Sequence, residues 1–229
     1  MDFSIIFDNI DLYLEGAWTT IQLVFLALLL GLFIAVPLAV LRNNRNPLIW
    51  GPIWVYTYFF RGTPMLVQVF LVYYGFGQFE AMRESFLWPF FKEAYWCALF
   101  AFTLNTAAYT TEIFRGAIAN TPYGEIEAAR AYGMSRGQQI RRIILPSALR
   151  RALPAYSNEV VFMLHGSAIA GIVTIVDLTG AARLINAKYY SPFEAFIAAG
   201  LFYMAITFTI VFIFRQLEKR YHAHLRPRS

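Results

Sequence analysis

The chain predicts an all-α, multi-pass membrane protein with five transmembrane helices. Three observations carry that expectation. Its 229 residues are 59% hydrophobic and only 14% charged, against roughly 25% charge in an average soluble domain. Five apolar stretches are long enough to cross a bilayer, and the basic residues divide unevenly between the connections that join them.

Taken in order, residues 1–16 carry Asp2, Asp8, Asp11 and Glu15 and no Lys or Arg. A secretory leader begins with a positive region, so no cleaved leader is expected. Residues 17–41 are free of charge, enough to cross roughly 30 Å of hydrocarbon at about 1.5 Å per residue with some tilt. A second span is expected at 52–76. It contains Phe60-Arg61-Gly62-Thr63-Pro64, where Gly and Pro break a helix, and irregular backbone at membrane depth is tolerated only inside protein or facing water. Residues 77–93 are amphipathic, with Trp88 and several Phe, and predict a short helix lying at the interface. A third span, 94–114, holds the lone cysteine, Cys97. One cysteine cannot form an intramolecular disulfide, and this one reads as packing. A fourth span, 157–176, opens at Asn158-Glu159 and contains His165, and Gly166, Ala168 and Gly171 loosen it. A fifth covers 195–214. The whole, residues 1–229, reads as one transmembrane domain with a polar loop at 120–146.

Lys and Arg counts set the orientation. Fourteen of the 19 fall on one side: Arg42 and Arg45; Arg115, Arg130, Arg136, Arg141, Arg142, Arg150 and Arg151; and Arg215, Lys219, Arg220, Arg226 and Arg228. Four fall on the other, Arg83, Lys92, Arg183 and Lys188, and Arg61 lies inside a span. The long polar loop and the C-terminus are therefore expected in the cytoplasm and the N-terminus outside. The basic balance reads as topology and not as a nucleic-acid footprint.

The loop carries its own helix signals. Thr121-Pro122-x-x-Glu125 predicts a Thr N-cap with Pro at the first helical position. Gly133 stops that helix, and Ser135 caps a second one over 136–144 that runs into Leu145-Pro146. Ala128 and Ala129 are small enough for another surface to approach. The spacing Glu127-Ala128-Ala129, Gly133, Ile143, Leu145-Pro146 resembles the EAA signature of ABC-importer permeases. That resemblance implies a helix that docks on a nucleotide-binding subunit. No G-x-x-x-x-G-K-[ST] loop occurs in the chain, so ATP and Mg are expected on a separate ATPase, with no cofactor here.

Ionisable groups at membrane depth are costly and are functional candidates by default. Arg61 either holds and gates the break at Gly62, Thr63 and Pro64 or snorkels to the nearer interface. Glu112 is expected near the cytoplasmic boundary, paired with Arg115 or Arg61. Glu159 lies about 9 Å along a helix from His165, a distance suited to a small zwitterion held between them. A carboxylate in a partly dry pocket favours a cationic partner. The segments 145–170, 101–114 and 126–133 resemble polar amino-acid permeases, and among them the M-type subunits of basic amino-acid uptake systems, over about residues 18–220. In relatives that carry other polar amino acids a Lys often takes the position of His165. A histidine there holds no fixed positive charge at neutral pH and does not repel a cationic side chain. The resemblance makes Glu159 a contact for a basic amino acid, with Asn158, His165 and Ser167 as further candidates.

The resemblance also implies partners: a second, homologous Q-type permease, two ATP-binding subunits, a periplasmic amino-acid-binding protein and the bacterial inner membrane. A permease for another polar amino acid or an opine, or a scaffold subunit whose partner holds the cargo site, stays open. A secondary transporter would need more spans and an inverted repeat. A membrane enzyme would need a nucleophile, metal cluster or carboxylate pair, and none stands out. His222-x-His224 reads as a solvated or lipid-contacting tail.

Overall fold

The computed structural model describes residues 3–221, which are helical throughout their ordered elements and contain no strand. His222, His224, Arg226 and Arg228 lie outside the described residues. After a short turn at Ser4–Asp8, α1 runs unbroken over Ile10–Arg42. Then come α2 (Pro47–Gly62) and α3 (Met65–Phe70), the latter prolonged by a π turn and a 3-10 turn to Gln78. α4 spans Ala94–Ala119 and α5 Tyr123–Ala131. α6 (Leu145–Gly166) passes into 3-10 geometry at Ser167–Val173; α7 (Leu178–Tyr189) and α8 (Pro192–Tyr221) complete the chain.

α1 and α4 form the spine. The face of α1 turned to the protein is lined by Gly16, Thr20, Val24, Ala27, Gly31, Ala35 and Ala39, all buried and spaced by three or four residues. Small residues at this spacing let two helices approach closely, which matters in lipid because apolar burial alone gives little drive for association there. A Cβ on Gly31 would lie 2.6 Å from Thr106 Cγ2 and 3.3 Å from the Ala107 nitrogen of α4. A core of Leu23, Ala27, Val69, Phe102, Met163 and Val173 joins α1, α3, α4, α6 and the 3-10 segment. A second cluster seats Tyr13 of α1 among Leu178, Ala182 and Ala195, and the Tyr13 hydroxyl donates to the Ala195 carbonyl at 2.9 Å.

α1 and α8 are long and apolar enough to cross a membrane. A third candidate is the pair Arg136–Val173 and Leu178–Tyr189, taken as one span bent by 45°. Phe25 and Phe33 of α1 and Phe208 and Phe212 of α8 point outward, more than 60% exposed, as lipid-facing groups do. The stretch at 94–114 is helical but less apolar. Thr103, Asn105, Thr106, Thr110 and Thr111 are buried against neighbouring helices, so protein and not lipid solvates this helix. The stretch at 52–76 is divided at Gly62–Pro64, as the Gly and Pro there require.

Several local expectations change. Residues 77–93 form two single turns, Glu80–Arg83 and Trp88–Phe91, instead of one interfacial helix. Phe91 folds inward to meet Phe76 and Phe100 edge-on, and its carbonyl accepts from buried Cys97, the packing role foreseen for that thiol. The helix after Ser135 does not end at Pro146. A π turn at Ile140–Ile144 carries it directly into α6, with Pro146 in the first turn, where a missing N–H costs little. Glu159 therefore sits well inside α6, not at a helix start. α7 is a helix beyond the five expected spans. It is fixed by Asp177, whose Oδ1 accepts from the Gly180 N–H at 2.7 Å, while Thr20 of α1 accepts from the Leu178 N–H at 3.1 Å.

A Cβ on Gly16 would lie 2.8 Å from the Asp177 carbonyl oxygen, whereas one on Gly51 meets nothing within 4 Å. Gly16→Ala is expected to destabilise the protein by about 1–3 kcal/mol, and Gly51→Ala to leave it unchanged or slightly more stable. Thermal melting of the purified protein in detergent checks the pair; equal melting temperatures would contradict the close approach.

Candidate functional site

The break between α2 and α3 opens the central cavity. Ending α2 at Gly62 and restarting at Met65 leaves backbone carbonyls without helical partners, a costly state away from water. Gln68, one turn into α3, closes them. Its Nε2 donates to the Phe60 carbonyl at 2.8 Å, the Thr63 carbonyl at 3.1 Å and Thr63 Oγ1 at 2.7 Å. Asn105 of α4 donates to Gln68 Oε1 at 2.9 Å and to the Phe60 carbonyl at 3.3 Å. The break is thus a fixed element braced by two amides.

Behind it lies a cavity of about 570 Å³ whose walls include Arg61, Gly62, Thr63, Pro64, Met65, Asn105, Tyr109, Phe162 and Gly166, with Glu159 among them. Glu159 is 6% exposed, and its Oε1 accepts from Thr106 Oγ1 at 2.8 Å. Arg61 stacks its guanidinium over the Tyr109 ring at 5.3 Å, and the Tyr109 hydroxyl donates to the Arg61 carbonyl at 3.3 Å. Arg61 and Glu159 line the same cavity. One carboxylate, one guanidinium and a few neutral polar groups in an apolar wall suit a small molecule that carries both signs of charge.

The other sequence candidates are not gathered here. Asn158 and His165 are exposed, and His165 Nε2 lies 3.1 Å from Thr207 Oγ1 of α8. Ser167 is buried with its hydroxyl donating to the Leu164 carbonyl at 2.7 Å. Six residues apart on a helix, Glu159 and His165 point to different faces. Glu112 pairs with Arg115 at 2.5 Å and with Arg42 at 3.3 Å, and accepts from Thr57 at 3.2 Å. Arg42, not Arg61, is thus its second cation, because α1 ends beside it. Glu112 ties α1, α2 and α4 together away from the cavity.

The polar loop forms a second, separate feature. α5 is capped by Pro122 and not by Thr121, whose hydroxyl turns back to donate to the Ile118 carbonyl at 2.8 Å. Gly133 has φ +72°, and the helix end is a Schellman pair. The Met134 N–H donates to the Ala129 carbonyl at 3.0 Å and the Gly133 N–H to the Arg130 carbonyl at 2.9 Å. Ser135 and Gln138 then make a capping box. Ala128, Ala129, Ile143 and Pro146 line a groove of about 650 Å³ between α5 and the start of α6. Leu145 lines a neighbouring groove with Arg45, Arg130 and Arg136. Glu127 and Ala128 are exposed, while Ala129 is 3% exposed and packs inward. Of the two alanines, only Ala128 is offered to another surface.

Sequence reasoning missed Gln68, Asn105, Thr106 and Arg151. The polar pairs Asn105-Thr106 and Thr110-Thr111 inside an apolar helix were an available signal, since such groups in a span need internal partners.

The chain belongs to the family of binding-protein-dependent transport system inner membrane components, which matches residues 27–223. It is 49% identical over 215 residues to the histidine/lysine/arginine/ornithine transport system permease protein HisM of Escherichia coli (strain K12), covering 93% of this chain and 90% of that protein. It is 44% identical over 229 residues to the nopaline transport system permease protein NocM of Agrobacterium fabrum, covering 100% of this chain and 95% of that one. The crystal structure of an amino acid ABC transporter with histidines superposes with a TM-score of 0.85 at 31% identity, over 96% of this chain and 99% of that chain. The protein is thus an inner-membrane ABC permease of the HisM type with the all-helical importer fold, and its relatives are transport subunits rather than enzymes.

Replacing Gln68 by Leu leaves the Thr63 carbonyl and hydroxyl without this donor and Asn105 with only the Phe60 carbonyl as acceptor. A stability loss of about 1–3 kcal/mol is expected, read as a lower melting temperature in detergent. An unaltered transition would show that the break does not depend on this amide.

Proposed function

We propose that this chain is one permease of an ATP-driven importer of basic amino acids and that Glu159 receives the cationic end of the cargo. The observation that carries the reading is the cavity in which Glu159 and Arg61 share one wall-lined space beside a braced helix break. Glu159 keeps one oxygen on Thr106 and has the other available. Arg61, with Gly62, Thr63 and Pro64 around it, holds the rim and matches the carboxylate of an amino acid. Asn158 and His165, both exposed, join the site only through surfaces this chain leaves to a partner, and Ser167 supports it from within the helix.

In this reading the chain crosses the inner membrane five times, with the N-terminus outside and the C-terminus in the cytoplasm. The 14-to-4 division of basic residues supports it. The cavity opens on one side of a single chain, which supports closure by a second permease of the Q type. The loop residues Glu127, Ala128, Ala129, Gly133, Ile143, Leu145 and Pro146 present a rigid helical hairpin to a separate ATPase pair, which holds the ATP and Mg. A periplasmic binding protein delivers the cargo. The likeness to a nopaline permease along the whole chain supports a second reading, in which the cargo is an opine.

Glu159→Gln in the assembled transporter is expected to lower uptake of arginine, lysine, histidine or ornithine by about tenfold or more, the effect of removing one charge-assisted contact. Uptake by membrane vesicles with that panel plus nopaline checks both readings; unchanged uptake of every cargo would remove Glu159 from the site. In a cysteine-free background, Gly137→Cys is expected to react with a membrane-impermeant maleimide only after the cytoplasmic face is opened. Labelling from outside would reverse the topology.

A further inference from the structure

Arg151 belongs neither to the cavity nor to the loop signature, yet it touches the element on each side of both. It lies on α6, one wall of the loop groove. Its Nη2 donates to the Ala117 carbonyl, in the last turn of α4, at 3.1 Å and to Thr121 Oγ1 at 2.9 Å. Its Nη1 donates to Ser147 Oγ on its own helix. Thr121 is the residue at which the chain leaves α4 and enters the loop helix, because Pro122 caps α5. One guanidinium therefore fastens the end of α4, the root of the loop and α6.

Eight residues further along α6, about 12 Å at the helical rise, Glu159 takes its hydrogen bond from Thr106 of the same α4. Between these two polar ties α4 and α6 meet through buried Phe114 and Ala152, with Tyr156 stacked on Phe114 at 5.8 Å between centroids. α4 and α6 are thus joined at the loop end by Arg151, at the cavity by Glu159 and Thr106, and by apolar contact along the length between. The loop itself is stiff at its far end, where Gln139 Nε2 donates to the Met134 carbonyl at 2.7 Å.

We infer that Arg151 is the positioning residue that makes the root of the loop helix α5 and the end of α4 move with the Glu159 helix. The inference rests on the importer reading above and adds to it the route by which force on the loop reaches the cavity. A planar fork with fixed donors suits this task, since it holds three acceptors in one geometry where a lysine ammonium would hold fewer. Without it the loop can still meet an ATPase, because no surface residue of the hairpin is changed, but the end of α4 and the root of α5 are no longer tied to α6.

The test uses the complete transporter in proteoliposomes, with permeases, ATPase and liganded binding protein, and reads both ATP hydrolysed and arginine taken up. Arg151→Met is expected to retain the ATPase on purification while arginine transported per ATP falls at least about fivefold, the scale of an ordinary coupling free energy between sites. Arg151→Lys is expected to restore part of the ratio. Thr121→Val removes one acceptor without touching Arg151 and is expected to lower the ratio by a smaller factor, about twofold to threefold; it carries the test if Arg151→Met does not assemble. An unchanged transport-to-ATP ratio in assembled Arg151→Met, or in Thr121→Val, would overturn the inference. A wild-type complex that hydrolyses ATP but takes up no basic amino acid would instead overturn the importer reading on which it rests.

Discussion

The backbone of a membrane protein cannot leave its polar groups to the solvent, and that constraint shapes the cavity at Glu159. A helix may stop in mid-bundle only where side chains take over the hydrogen bonds of the missing turn. Gln68 and Asn105 do so at Gly62–Pro64. Once those carbonyls are satisfied, the gap is permanent, and the wall around Arg61 and Tyr109 has a fixed shape. The same requirement explains why α4 is rich in threonine and alanine. Its neighbours are other helices, and Thr106 and Thr111 find partners on one of them or on the preceding turn, Thr106 on Glu159 at 2.8 Å and Thr111 on the Ala107 carbonyl at 2.7 Å, while the buried Thr103 hydroxyl has none.

Close packing then decides where the chemistry falls. Gly31 and the small residues above and below it bring α1 against the very turn of α4 that carries Thr106. Thr106 in turn fixes the rotamer of Glu159 across the next interface. A carboxylate held in this way is oriented in advance, and in the proposed role less ordering is needed on binding. Gly166 serves the same region from the other side. A Cβ there would come within 2.4 Å of the Met65 methyl, so the flexible thioether fills the space and finishes the cavity wall.

Much of this was written in the sequence, though unevenly. Gly133 and the Ser135–Gln138 box were readable because turn and cap chemistry is local, involving residues three or four apart. The break at Gly62–Pro64 was readable for the same reason, and Glu159 stood out as an isolated acid in an apolar run. The braces were not readable, because Gln68, Asn105 and Thr106 acquire their roles from residues on other helices, and no single-chain period reports that. The continuity from Arg136 into α6 was hidden by Pro146, which ordinarily signals a stop. Here it occupies the first turn, following a π turn that absorbs the misfit. Asp177 shows both cases, since its cap on the Gly180 N–H is local and was open to reading, whereas its second partner, Tyr203, comes from α8. The expectation that Glu159 and His165 hold one small zwitterion between them meets helix geometry, since six residues do not return to one face.

The juxtaposition of Arg61 and Glu159 bears on what the bilayer must keep out as well as on what passes. A lone carboxylate at this depth would be a well for sodium or potassium, and a pathway built around it would leak down the membrane potential. With the guanidinium in the same cavity, the carboxyl does not face cations alone, and an inorganic cation gains less by shedding its hydration shell there. A zwitterion with an extra positive end can meet both groups at once. On the proposed reading, ion tightness and cargo choice both draw on the one pair of opposite charges that lines this cavity.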